Sequence, residues 1–298
     1  MRVPKGGVAF FDSGIGGLTV LAECEKFCSN EIFYYYGDHA HAPYGNLSEK
    51  KIRKYVFRVF RKFNRLKVKA AVVACNTATA VCIERLREKY SFPIIGAEPA
   101  VFSAAKQGGE VYVLSTRATF SSERFRLLCE KAQNLFQDAM IVPFSCDGLA
   151  GEIEGHITNP NYDFTKRLPR GKPSSVVLGC THYIYIGSKI AQFYGCKIYD
   201  GNEGIARRLK ALLKDGASKN WDEQPPSRKK KCFLGFLTTF NSIFKVFHFH
   251  KKKQDAQSRR MSKNVLKTKG KMQIFFLGEN KSKEMKIYEQ MFVSRVSG

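Results

Sequence analysis

Short apolar runs recur along the whole chain, and each ends in small or polar residues. The runs rich in β-branched and aromatic residues lie at 7–11, 31–36, 72–74, 92–97, 110–114, 139–144, 174–179, 197–199 and 272–277. Runs of this length, bounded by turn residues, are typical of strands buried on both faces of a parallel sheet. Helical patterns follow most of them, the clearest being the basic amphipathic stretch from Ser48 to Leu66. The alternation predicts an α/β fold built of mostly parallel sheets with right-handed crossovers.

The carboxyl ends of the predicted strands carry polar side chains in at least six cases. Open α/β sheets bind their ligands at this edge, so the pattern predicts a cleft between two such sheets. The first strand ends in the sequence DSGIGG, residues 12–17. Its glycine spacing fits neither a P-loop nor a dinucleotide fingerprint, and no lysine follows. We expect these glycines to let the backbone approach a small ligand, with Asp12 and Ser13 at the strand tip.

Two strands end in a cysteine followed by hydrogen-bonding residues. Cys75 begins the sequence CNTATA, and Cys180 begins CTHY. Each is predicted to precede a helix, and the field at a helix N-terminus is expected to lower the pKa of the thiol. The cysteines at 24, 28, 82, 129, 196 and 232 lack these neighbours and are interpreted as small apolar side chains.

Two matched thiols leave three interpretations open. A disulfide would usually join cysteines close in sequence, and a zinc site needs more ligands than His182 adds. The third interpretation is an acid/base pair on opposite faces of one carbon, where a thiolate removes a proton from one side and a thiol delivers one from the other. No metal and no cofactor are predicted. A cysteine hydrolase is disfavoured, because no His/Asp pair accompanies a single nucleophile.

Basic residues are concentrated in one segment of the chain. The formal net charge is +24, and residues 228–271 hold fourteen lysines and arginines against a single acidic residue, Asp255. The segment also holds a Phe-rich run at 232–250 with helical spacing of its apolar positions. A solvated insertion and an element bound to an anionic membrane surface are both open interpretations; for nucleic acid, the charge alone is weak support. No signal peptide or membrane span is evident, and nine cysteines without framework spacing favour reduced thiols in the cytoplasm.

Five motifs in order carry a family resemblance. FDSGIGGLTV (11–20), PYG (43–45), CNTATA (75–80), STRAT (115–119) and LGCTHY (178–183) together resemble the cofactor-independent glutamate racemases of bacterial cell-wall synthesis. The match runs from Gly7 to about Leu213 and resumes at Met272. The resemblance implies two pseudo-symmetric α/β lobes with the substrate between them. The first lobe would hold residues 1–97 with about 210–224 and 272–298, the second 98–209, and 225–271 would be an insertion.

The resemblance also implies roles for particular residues. Cys75 is expected to act as the base toward one enantiomer of glutamate and Cys180 toward the other. Asp12 would assist Cys75, and Glu154 with His182 would assist Cys180. Glu152 is an alternative candidate for the role of Glu154. The spacing from Cys146 favours Glu154. The residues expected to hold the substrate are Asp12, Ser13, Pro43, Tyr44, Gly45, Asn76, Thr77, Thr116, Thr119, Thr181 and His182.

Three departures from the family pattern leave these groups in place. Ser115 stands where glycine is usual, Ile184 where proline is common, and Asp147-Gly148 replaces a more apolar form. The resemblance predicts D-glutamate supply for peptidoglycan, a homodimer and a cytoplasmic enzyme. The alternatives are a racemase of aspartate or another amino acid, and a racemase-fold protein whose main role is membrane or nucleic-acid binding through 228–271.

Overall fold

The computed structural model describes residues 6–157, 159, 161–214, 265–267, 273–277, 283, 286 and 287. Apart from 265–267, the predicted insertion 225–271 lies outside the described residues, as do most of residues 278–298. The described chain forms two parallel α/β sheets flanked by helices. The predicted fold class is confirmed.

The first sheet has six strands in the order β4-β3-β1-β2-β10-β9. Its strands are β1 (Val8–Asp12), β2 (Ile32–Gly37), β3 (Ala70–Val73), β4 (Ile94–Gly96), β9 (Val265–Lys267) and β10 (Gln273–Phe276). All neighbours are parallel except β9, which runs antiparallel to β10. Since β1 lies between β3 and β2, its last residue, Asp12, is at the centre of the carboxyl edge.

Helices cover both faces of this sheet. One face packs on α1 (Gly17–Phe27) and α9 (Asn202–Lys214), and the other on α2 (Glu49–Arg65) and α3 (Asn76–Lys89). The sequence of α2 explains its packing, because Ile52, Val56, Val59 and Phe63 recur at helical spacing and are all buried. The basic residues of α2 occupy the opposite, exposed face.

The second sheet has four parallel strands in the order β6-β5-β7-β8. They are β5 (Gly109–Ser115), β6 (Ala139–Ser145), β7 (Ser175–Leu178) and β8 (Lys197–Tyr199). Its helices are α4 (Val101–Ala105), α5 (Arg117–Phe120), α6 (Glu123–Leu135), α7 (Leu149–His156) and α8 (Gly187–Tyr194). Among the described residues, no helix is both long and apolar enough to cross a bilayer.

Short 3-10 helices bring the carboxyl edges of the two sheets together. The one at Thr181–Ile186 contacts α1, and the one at Tyr44–Asn46 contacts α5. A further 3-10 turn, His39–His41, follows β2, and another lies at Thr165–Arg167. The polar ends of strands from both sheets therefore meet in one buried region.

Candidate active site

Cys75 lies between β3 and α3 and is 5% exposed. Its sulfur accepts a hydrogen bond from the Ala78 N–H and lies 3.5 Å from the Ser13 hydroxyl. Burial, followed by the charge of Asp12, raises the pKa of the Cys75 thiol to about 12. The expectation of a lowered pKa is therefore wrong for Cys75. The two hydrogen bonds do lower the pKa, but loss of hydration has the larger effect.

Asp12 connects the two sheets. Its carboxylate is fully buried, and Oδ1 accepts the Gly14 N–H at 2.8 Å. Oδ2 accepts the hydroxyl of Thr181, which follows β7 of the second sheet, at 3.2 Å. The predicted pairing of Asp12 with Cys75 is thus reflected in the electrostatics, while its hydrogen bonds reach toward the Cys180 side.

Cys180 lies at the carboxyl end of β7, before the 3-10 helix, and is 7% exposed. Its sulfur is 3.9 Å from His182 Nδ1. The charge of Cys180 also contributes to the raised pKa of Cys75, so the two thiols lie within electrostatic range of each other. The structure thus brings together the two cysteines that the sequence paired.

Glu154 joins two histidines. Its Oε2 lies 3.0 Å from His182 Nε2, and its Oε1 lies 2.9 Å from His39 Nδ1. Burial alone would raise the pKa of Glu154, but the hydrogen bonds from His182 and His39 outweigh it and lower the pKa to about 2. Burial would lower the pKa of His182, yet Cys180 and Glu154 raise it well above its usual value. An imidazolium at His182 therefore faces the Cys180 sulfur.

The geometry separates Glu154 from its rival, Glu152, which pairs with Arg167 at the surface. His39 is absent from the residues that the sequence predicted for the site. Its signal was available, because it follows β2 at the same edge as the other polar strand ends. Asp38 was missed too, and it accepts a hydrogen bond from the Tyr44 hydroxyl.

Three buried threonines form a hydroxyl cluster across the sheets. Thr77 at the start of α3 lies 2.9 Å from Thr116 and 3.2 Å from Thr119, and those two are 3.0 Å apart between their Oγ1 atoms. Asn76, the first residue of α3, is also buried. Hydroxyls beside a helix N-terminus are suited to a carboxylate, since both supply donors to an anion.

Glycines allow the first sheet's loops to approach the second sheet. A Cβ on Gly16 would lie 2.3 Å from Thr181 Oγ1, and one on Gly14 would lie 2.6 Å from a Glu154 carboxylate oxygen. A Cβ on Gly45, beside Pro43 and Tyr44, would lie 2.8 Å from Thr116 Cβ. The glycines of DSGIGG were expected to admit a ligand. In this structure Gly14 and Gly16 closely approach Glu154 and Thr181 beside the second sheet, while Gly17 closely approaches Asp12 and Ala74 of its own sheet.

A metal site is not apparent in the part of the chain that the structure describes, where no three His, Cys, Asp or Glu side chains are grouped to hold an ion. The chemical groups of the site are instead two thiols, two carboxylates, two histidines and a set of hydroxyls. Such a set can move protons and bind a small charged molecule.

Comparison with known proteins gives a consistent picture. The family model for Asp/Glu/hydantoin racemases matches residues 29–209. The glutamate racemase of Clostridium perfringens is 38% identical over 248 residues, covering 79% of this chain and 90% of that protein. The glutamate racemase of Clostridium botulinum strain Loch Maree is 38% identical over 253 residues, covering 81% and 93%.

Solved structures agree with the sequence matches. Escherichia coli glutamate racemase, in complex with L-glutamate and the activator UDP-MurNAc-Ala, superposes with a TM-score of 0.65 at 29% identity, covering 72% of this chain and 85% of that chain. The Thermus thermophilus glutamate racemase, in complex with β-chloro-D-alanine, gives a TM-score of 0.58 at 30% identity, covering 72% and 83%.

Proposed function

The chain belongs to the Asp/Glu/hydantoin racemase family, and from this premise we propose that it is a glutamate racemase that interconverts L- and D-glutamate by proton transfer at Cα. One observation carries the mechanism: two buried cysteines lie at equivalent strand ends of two sheets, Cys75 within the electrostatic influence of Asp12 and Cys180 beside His182, which pairs with Glu154. The thiolate on one face removes the Cα proton, and the thiol on the other face delivers a proton to the carbanion. The configuration inverts, and the proton count of the enzyme is unchanged.

The two thiols have different neighbours, which supports different roles for them. His182 Nδ1 lies 3.9 Å from the Cys180 sulfur, and the pKa of His182 is raised, so a positive imidazolium stands beside that sulfur. Burial and the charge of Asp12 hold Cys75 protonated, since they raise its pKa to about 12. We therefore assign Cys75 as the acid of the first turnover, which leaves proton abstraction to Cys180 on the other face. After one turnover the roles are exchanged, and Cys75 is then a strong base.

The remaining predicted residues would hold the substrate. The Thr77, Thr116 and Thr119 cluster and the N-terminus of α3 supply donors for one carboxylate. Thr181 lies beside Asp12, whose buried negative charge would offset the ammonium group. Exclusion of water from these contacts would strengthen them at the moment when charge develops on Cα.

The first experiment is incubation of the purified protein with L-glutamate in D2O without added cofactor. We expect loss of the Cα–H NMR signal together with decay of optical rotation. Cys75→Ala and Cys180→Ala should each abolish racemisation, and each should restrict Cα exchange to one enantiomer. Cys82→Ala is the matched control, because Cys82 is also buried but lies inside α3, whereas Cys75 lies at its N-terminal end. Racemisation of aspartate but not of glutamate would change the proposed substrate. Absence of both signals with both amino acids would contradict the proposed enzymatic activity.

We place this activity in two lobes built on the two sheets, with substrate enclosed between them. In the wider biology of the family, D-glutamate made in the cytoplasm would supply peptidoglycan. The close approach of Gly14 and Gly16 of the first sheet's loop to Glu154 and Thr181 supports the two-lobe arrangement, whereas the cytoplasmic location is proposed from the family alone.

We also propose a homodimer that associates through the second sheet. Among the described residues the large apolar side chains that remain exposed are Phe102, Phe120, Leu127, Leu135, Met140 and Phe193, all within 98–209. Phe120 lines a groove of about 690 Å³ between α5, α6 and the edge strand β6. Sedimentation equilibrium tests this: Phe120→Ser should weaken the dimer and Phe193→Ser, beside β8, should not. A monomeric wild-type protein would contradict the proposal.

Segment 228–271 is proposed to bind an anionic membrane surface, separately from catalysis. The support is compositional: its fourteen cations and its Phe-rich run match an interfacial element. The exposed basic face of α2 adds positive charge that belongs to the folded part of the chain.

A further inference from the structure

We propose that His39 is a positioning residue that links closure of the two lobes to the acid/base step at Cys180. The inference rests on the proposed racemase function, and it concerns a residue that the five motifs leave out. His39 lies in the 3-10 turn after β2 of the first sheet, whereas Glu154 lies on α7 beside the second sheet. Their hydrogen bond therefore joins one lobe to the other.

The carboxylate of Glu154 is held at both oxygens. Oε1 is 2.9 Å from His39 Nδ1, and Oε2 is 3.0 Å from His182 Nε2. The side chains of His39 and Glu154 are only 5% and 16% exposed. Because each oxygen has its own histidine, rotation of the carboxylate would break one of the two contacts. His39 thus fixes the orientation in which Glu154 meets His182.

From His182 the arrangement continues to the reacting sulfur. Its other ring nitrogen, Nδ1, lies 3.9 Å from Cys180 Sγ. The series His39, Glu154, His182, Cys180 therefore begins in the first lobe and ends at a thiol of the second. The other charged group facing His182 is Asp12, which also raises the pKa of His182. Without His39, the Glu154 carboxylate would remain buried but would lose one of the two histidine hydrogen bonds that compensate for the loss of hydration.

The neighbouring His41 does not have this geometry. Its Nδ1 pairs with Asp38, and its ring stacks on Tyr55 with centroids 3.6 Å apart. Both contacts stay within the first lobe. Other bonds also join the lobes, such as the Tyr185 hydroxyl to the Ile15 carbonyl, but that bond does not involve a group in contact with a thiol. Loss of His39 should therefore affect chemistry on the Cys180 face more than closure itself.

A racemase has an equilibrium constant of one, so any variant lowers kcat/KM equally in both directions. The value of kcat/KM therefore cannot show which face is affected, and the test uses isotope effects instead. L- and D-glutamate deuterated at Cα are compared in wild-type protein and His39→Ala. We expect kcat/KM to fall about 10- to 100-fold, as misplacement of a supporting group typically does. The deuterium effect on kcat/KM should rise for the enantiomer that Cys180 deprotonates and fall for the other. Exchange of the Cα proton, measured for each enantiomer with Cys75→Ala and Cys180→Ala, identifies the enantiomer that Cys180 deprotonates.

Two variants complete the design. His39→Asn should restore most of the rate and both isotope effects, because its amide N–H can replace Nδ1–H toward Glu154. His156→Ala removes an exposed histidine of α7 that stacks on Tyr162, and it should leave both isotope effects unchanged. An equal isotope effect in both directions for His39→Ala, or a shift toward the Cys75 face, would overturn the inference. Absence of racemisation by the wild-type protein would overturn the proposed function, and the inference with it.

Discussion

Cys75 and Cys180 are the same residue type in two different electrostatic settings. Cys75 has a hydroxyl, a backbone N–H and a buried aspartate nearby, and burial dominates. Cys180 has a histidine whose pKa is raised by contacts with the sulfur and with Glu154. A two-base racemase needs one thiol and one thiolate at the start of each turnover. The unequal neighbours of Cys75 and Cys180 are the structural difference between the two faces.

The buried thiols outside the site lead to a stability prediction. Burial raises the pKa of Cys82 to about 12 from a usual value near 9. A raised pKa in the folded state stabilises the protein fully below pH 9, and that stabilisation is lost as pH rises toward 12. The difference in unfolding free energy between wild type and Cys82→Ala should therefore shrink by about 1.4 kcal/mol per pH unit above pH 9.

Urea unfolding at pH 7, 9, 10 and 11 measures this change. The comparison of two proteins cancels the titration of lysines and tyrosines, which is common to both. A difference that stays constant across these pH values would mean that the Cys82 thiol titrates alike in the folded and unfolded chains.

At this scale the residues proposed from the sequence lie close together in the structure, but their electrostatics could not be predicted. Asp12, Cys75, Cys180 and His182 were recognisable because they lie in motifs at strand ends, and Glu154 was proposed from its spacing to Cys146. Matches to glutamate racemases over most of the chain confirm the family resemblance. The predicted direction of the Cys75 pKa shift was wrong. A helix N-terminus can be recognised from the sequence, whereas the depth of burial depends on packing against the second sheet.

At the scale of elements, the strands were predicted well and their connections less so. Strand β8 matches its predicted range, and β1, β2 and β6 agree within a residue. After β7 a continuous helix was expected, but Thr181–Ile186 is a 3-10 helix and α8 begins at Gly187. The buried Tyr183 explains the tighter turn, because its hydroxyl is within hydrogen-bonding distance of the Ser115 and Cys146 carbonyls. Such long-range contacts leave no local pattern.

The loop between β1 and α1 gives a prediction about closure. In Gly16→Ala the new methyl would lie 2.3 Å from Thr181 Oγ1 and 2.8 Å from His182 Nδ1. The backbone of Gly16 is right-handed helical, with φ −56°, so alanine adds no backbone strain. We expect Gly16→Ala to fold normally and to lose at least about 100-fold in kcat/KM, because the lobes cannot close to the productive geometry.

Racemisation assays and thermal unfolding together test this expectation. Gly204→Ala is the matched control, since Gly204 lies in α9 with open space around its Cα. It should retain full activity and gain up to about 1 kcal/mol in stability from the better helix propensity of alanine. Full activity of Gly16→Ala would mean that the loop and Thr181 separate during turnover.

At the scale of the whole molecule, the order of strands could not be obtained from the sequence. The apolar run at 272–277 was among the predicted strands, and β10 indeed pairs in parallel with β2. However, no local pattern indicates that β9 lies antiparallel at the edge beside it. The pairing of β10 with β2 joins residues more than 200 positions apart, so it depends on the packing of the complete first sheet rather than on any segment.

The same whole-molecule view gives a last prediction, for the segment that precedes β9. A deletion of residues 228–262 removes ten of the cations of this segment and keeps β9 and β10. The full chain should cosediment with phosphatidylserine vesicles at low salt, because each lysine or arginine near an anionic surface contributes about 1 kcal/mol. The deletion should abolish most of this binding and leave racemisation within about twofold, since the site lies at the edges of the two sheets.

Neutral phosphatidylcholine vesicles are the control for the lipid. Lys54→Glu in the exposed face of α2 is the control for charge, because it lowers positive charge while keeping the segment. Equal vesicle binding with and without 228–262 would contradict the assignment and move the membrane contact to the folded lobes. Loss of turnover on deletion would instead show that the segment supports the racemase itself.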